Sequence, residues 1–183
     1  YFFNLATDEQ IKDGKRWYKE SNEFCQEVAK EYNTDPLKVA SVVSALSPRN
    51  RWEQNLKDAK KVFQAISEGK EANDIKVCTF NKNKFKAFEL AKGNIFITED
   101  SPKTFNFVRN IAHLCPASVT VDIWHLRACL KQFKSIGNAQ IGKVAYNQIK
   151  ALTIKKAHKL GLTGFEYQAI IWITAQNNID KLR

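Results

Sequence analysis

The chain has no methionine, four cysteines, four prolines and seven glycines in 183 residues. It also has no apolar run approaching the ~20 residues that a membrane-spanning helix needs, and no basic-then-apolar leader. A soluble, intracellular protein (cytoplasm or nucleoid, or the host cell if viral) with no membrane partner is therefore expected. Cys25, Cys78, Cys115 and Cys129 stand far apart without metal-ligand spacing, so they are expected to be reduced, mostly buried thiols, and no metal or cofactor is implied. With Tyr1 first and methionine absent, the natural start is expected to lie outside this sequence. Repeats, low-complexity tracts and linkers are missing too, which argues for one domain, compact or built of two small lobes. Acids are in the minority: 19 Asp and Glu against 29 Lys and Arg give a net charge of +10. That charge predicts attraction to polyanions, of which nucleic acid is the commonest for a soluble chain. The plainer alternative is a surface solubilised by lysine, since the lysines are spread through the whole sequence.

What is present is helical patterning. Thr7 and Gln10 form a capping box ahead of Ile11, Trp17, Tyr18, Phe24, Cys25, Val28 and Tyr32, which predicts one long first helix ending near Asn33. Asp35 and Pro36 restart the chain as cap and first turn, and residues 37–46 are so apolar that their helix must be central. Residues 47–52 break the pattern and expose Arg49, Asn50, Arg51 and Trp52 together. Further helices are expected over 53–66, over 83–92 with Gly93 as the stop, from Pro102 to Ala112, and from Ile123 to Leu130. Residues 137–142 read as a flexible joint, followed by a helix that Gly161 ends and a last one opened by the Thr163–Glu166 capping box. The distal helices are expected to pack against the first. Strand content should be negligible, so the fold class is all-α.

The stretch 101–127 carries most of the chemistry. Ser101 and Pro102 open a helix, which places Lys103 in the first turn, where the positive end of the helix dipole disfavours a cation. Such a position is expected to lower an amine's pKa and make it nucleophilic. After the Cys115-Pro116 break and the extended run 119–121, Asp122 stands at the cap of the next helix. A lysine in the first turn of one helix, then a V-x-V-D run nineteen positions on, resembles the helix-hairpin-helix DNA glycosylase superfamily, the group of endonuclease three and the 8-oxoguanine glycosylases. The likeness extends over residues 35–130, through the apolar helix, polar loop and asparagine-bearing helix of 39–63 and the helix after a short aromatic turn at 81–92.

The resemblance implies a two-lobed helical bundle with a helix-hairpin-helix-like element and a cleft between lobes, one roughly 35–100 and the other 1–34 plus 101–183. It implies double-stranded DNA as partner, a monomer, and base excision by flipping with Lys103 as nucleophile and Asp122 as electrostatic partner. Arg49, Asn50, Arg51, Trp52, Asn55, Ser101 and Thr104 are the implied DNA contacts, with Asn50 or Arg51 filling the gap left by the base. Phe105, Trp124 and His125 are implied pocket residues, though a lone histidine is more often structural and Trp52 can equally pack on a core. The segment before Lys103 departs from the family, since residues 97–102 contain no glycine and carry Glu99 and Asp100 where glycine amides would grip a phosphate. The gap-filling glutamine is missing, and a C-terminal cysteine cluster for an iron-sulfur centre is missing as well. Two other functions stay open: a phage-type base hypermodification transferase on the same fold, and a non-catalytic DNA-binding module.

Overall fold

A computed structural model describes residues 2–130 and 141–178, with nothing said of the Leu130 side chain. The described residues are helical, without strands: α1 (Asp8–Glu31), α2 (Pro36–Leu46), α3 (Trp52–Ser67), α4 (Asn81–Lys92), α5 (Pro102–His113), α6 (Ile123–Leu130), α7 (Lys143–His158) and α8 (Gly164–Asn177). Two short 3-10 turns, Phe2–Leu5 and Ala72–Asp74, are additions that no sequence periodicity announces. The joint expected at 137–142 falls mostly outside the described residues. The chain forms two units, Asn22–Ala112 and Tyr1–Ser21 with His113–Arg183.

The unit Asn22–Ala112 is built around α2. Its cap is as read: the Asp35 carboxylate accepts the Leu37 amide at 2.8 Å and Pro36 occupies the first turn. Val39 through Leu46 are all buried, so beyond its first turn this helix has no solvent face, and α3 and α4 pack against it. Amphipathic α3 turns Asn55, Asp58, Ala59, Val62 and Phe63 inward, and α4 buries Ala87, Phe88, Leu90 and Ala91 before Gly93 stops it at φ +82°. The second half of α1 belongs here for identifiable reasons. Asn22 Nδ2 donates to the carbonyls of Ile111 and Ala112 at 2.8 and 2.9 Å, answering acceptors that the end of α5 leaves open. Tyr32 stacks obliquely on Phe63 and Glu31 pairs with Lys60 at 2.7 Å.

The other unit is organised on α8, which is apolar on most of its surface and buries Phe165, Tyr167, Ala169, Ile170, Ile171 and Ala175. Both halves of its capping box form between Thr163 and Glu166. As expected, the first helix meets the distal ones: Tyr18 donates to Gln168 Oε1 at 2.7 Å, and Gly14 lies against Ile170 so closely that a Cβ there would come within 2.7 Å of the Ile170 backbone. A second cluster joins Val119, Val121, Leu126 and Tyr146. The run 119–121 is buried and carries the chain to Asp122.

The thiols differ from expectation. Cys25 is buried, and burial pushes its thiol up to about 12, but Cys78 and Cys129 are exposed and Cys115 is intermediate. Spacing along the chain says nothing of which helix face a cysteine occupies.

Candidate functional site

The α2–α3 loop, residues 47–51, is held rather than floppy. Asp58 on the inner face of α3 is buried, and its carboxylate accepts from Asn50 Nδ2 at 3.0 Å, Gln54 Nε2 at 2.9 Å and the Cys78 amide at 2.8 Å. Thr79 Oγ1 adds a bond to the Pro48 carbonyl at 2.7 Å. The loop and the turn before α4 are thereby stitched into one surface. On it Arg49 is exposed in the left-handed region, at φ +55°, which a non-glycine residue adopts only at a cost. Its guanidinium lies 5.2 Å from the centroid of Phe80, a ring that is 43% exposed, and the Lys82 ammonium stands 6.0 Å from the same ring. Arg51, two residues beyond Arg49, is also exposed.

The other expected DNA contacts divide. Trp52 is half-buried with its ring 6.3 Å from that of Phe107, so it is partly a packing residue. Asn50 is half-buried and donates from Nδ2 to Asp58. Asn55 is wholly buried, and its Nδ2 donates to the Val43 carbonyl at 3.0 Å, fastening α3 to α2. It faces the core. Its Oδ1 has no partner among the described residues.

At the start of α5, Ser101 and Lys103 are exposed, while Thr104 and Phe105 are half-buried and the Arg109 guanidinium sits 5.4 Å from the Phe105 ring. Lys103 is thus in the expected first turn but solvated, not buried. The turn ahead of it is exposed at Glu99 and Asp100, with the Ser101 amide donating to the Thr98 carbonyl at 3.1 Å.

Asp122 is half-buried at the head of α6, where its Oδ1 accepts the His125 amide at 2.8 Å. The segment leading to it is clamped by α7: Tyr146 donates its hydroxyl to the Val119 carbonyl at 2.8 Å and accepts the Val121 amide at 3.1 Å. Trp124 is half-buried under the Arg127 guanidinium at 5.3 Å. His125, expected in a pocket, is wholly buried. Its Nε2 lies 2.9 Å from Thr153 Oγ1, Nδ1 has no partner among the described residues, and burial pushes the imidazole down to about 4. It is a neutral core residue whose side chain pairs with Thr153 of α7.

Sequence reading missed Asp58. The signal for Asp58 was available, since Asn55, Asp58, Ala59 and Val62 share a helix face and a carboxylate among apolar neighbours must find donors. Among the described residues no group of three or more His, Cys, Asp or Glu could hold a metal ion, and no helix is long and apolar enough to cross a membrane.

These elements define an all-α protein with a braced basic-aromatic surface in one unit and a clamped aspartate in the other. The chain belongs to the family described as "Family of unknown function (DUF7178)", whose model matches residues 1–179. No curated protein and no solved structure matches it.

Proposed function

We propose that the protein is a DNA glycosylase related to the helix-hairpin-helix superfamily, acting as a monomer on double-stranded DNA that carries a damaged or modified base. The observation that carries DNA recognition is the Arg49–Phe80–Lys82 surface. A ring half open to solvent offers a face on which a base can stack, and the cations over it neutralise phosphates. A left-handed arginine held by a buried carboxylate network is a backbone strain that function explains better than stability does.

The chemistry rests on residue type and local position. Asp122, whose segment Tyr146 clamps, supplies a fixed carboxylate to the positive charge that develops on the sugar. Lys103 supplies the amine: its lone pair bonds to C1′, the C1′–N bond breaks with its electrons leaving on the base, and the base takes up a proton. Ring opening then gives an imine, and loss of a C2′ proton expels the 3′ phosphate. Because Lys103 is exposed in the free protein, the desolvation that favours a nucleophilic amine falls to the docked DNA.

The test is incubation of the protein, Lys103→Gln and Asp122→Asn with duplexes carrying abasic, uracil, 8-oxoguanine or hydroxymethylated sites, with borohydride trapping. Trapped adducts that need Lys103 and base release that needs Asp122 support the reading. The exposed acids Glu99 and Asp100 directly ahead of Lys103 favour a second one, a base-modifying transferase. It predicts a changed base mass with no trapped adduct. Binding without any product would reduce the protein to a DNA-binding module.

A further inference from the structure

Helix α7 does two unlike things. Its inner face buries Tyr146, Thr153 and Ala157 and holds the segment that ends in Asp122. Its outer face is exposed and covered by nothing in the described structure: Val144 at 73%, Leu152 at 67%, and between and beyond them Gln148, Lys155, Lys156 and Lys159. Stepping 100° per residue, Val144, Gln148, Leu152, Lys155 and Lys159 lie on one side of the helix. Val144 and Leu152, with Gln148 between them, precede the lysines along it.

The charge on this face is of one sign. No Asp or Glu occurs anywhere in residues 123–165, and α7 itself contains none. Favourable dipole contacts account for lysines in the last turn. They do not account for a helix without one acid to pair with them, nor for two aliphatic side chains left more than two-thirds in water.

We infer that the outer face of α7 docks an acidic, amphipathic protein segment, a helix or extended peptide whose carboxylates meet Lys155, Lys156 and Lys159 and whose apolar side chains cover Val144 and Leu152. Three observations select this occupant. An acid-free basic surface steers anionic partners. A phosphate backbone would leave Val144 and Leu152 as exposed as before. And the face points away from the Asp122 segment, which α7 holds on its opposite side, so DNA bound over Asp122 does not cover it. An anionic bilayer fits less well, because the face bears no Trp or Phe to anchor in it. The inference stands apart from the reaction assigned to Asp122 and Lys103.

The probe is a synthetic peptide with leucines at helical spacing and glutamates between them, titrated into the full chain by fluorescence anisotropy at low and physiological salt. Salt-sensitive binding is expected, weakened by about tenfold or more in the Lys155→Glu, Lys156→Glu, Lys159→Glu triple variant and by a smaller factor in Leu152→Ser. The Lys→Gln triple variant, uncharged and surface-located, keeps the test valid if charge reversal perturbs folding, and circular dichroism verifies both. No binding by the parent, or equal binding by the variants, overturns the inference. So does loss of duplex DNA binding, or of binding to phosphatidylserine vesicles, in variants whose peptide affinity is unchanged, since the face would then belong to a different partner.

Discussion

The buried histidine makes the sharpest quantitative demand. His125 is wholly enclosed, hydrogen-bonded through Nε2 to Thr153, and burial pushes its imidazole from an ordinary value of 6.5 down to about 4. Between those values the unfolded chain binds a proton that the folded one refuses. Stability therefore rises with pH through that window: the contribution is fully present above pH 6.5, shrinks as the pH falls, and is fully lost below about 4. The whole gap corresponds to roughly 3 kcal/mol, of which about 2 kcal/mol is gone by pH 5. With a urea slope of about 2 kcal/mol per molar, that moves the midpoint down by about 1 M. Urea titrations followed by tryptophan fluorescence at pH 7.5, 6 and 5 read this directly, and the same series on His125→Gln supplies the background from all other groups. The variant should be less stable at neutral pH yet flatter in its pH response. If parent and variant lose the same stability between pH 7.5 and 5, His125 is not the buried neutral group described.

Four other outcomes follow from the packing and the loop. Gly14→Ala forces a Cβ to within 2.7 Å of the Ile170 backbone and should cost about 1–3 kcal/mol, read as a lowered melting temperature. Asp58→Asn turns an amide N–H toward donors from Asn50, Gln54 and the Cys78 backbone; a loss of about 2–4 kcal/mol in urea, with weaker DNA binding, is expected. Arg49→Gly removes a left-handed non-glycine residue, a relief of about 1 kcal/mol, and a ring contact worth about 0.5–1 kcal/mol. Its stability should stay within about 1 kcal/mol of the parent while its salt-dependent DNA affinity falls, which binding isotherms at two salt concentrations decide. Tyr146→Phe leaves the Val119 carbonyl and Val121 amide without the hydroxyl and should cost about 1–3 kcal/mol, again by urea.

The helices were legible because their signals are local. A cap and its target lie within three residues, as in Thr7 with Gln10 or Thr163 with Glu166, and apolar spacing marks the buried face of each helix without reference to its neighbours. The site residues were not equally legible, because polarity states that a side chain needs partners without saying where they are. Asn50 finds Asp58, Asn55 finds the Val43 carbonyl and His125 finds Thr153, each across a turn or between helices, and each is thereby withdrawn from solution. The boundary between units was hidden for a related reason: the bond from Asn22 to the end of α5 spans 89 and 90 residues and ties the second half of one continuous helix to a different unit from the first. What survives at the surface is selected by the same reasoning. The Arg49 guanidinium stays exposed over the Phe80 ring, 5.2 Å from its centroid. Asp58, by fixing the neighbouring Asn50 and the Cys78 amide, braces the loop that carries this arginine.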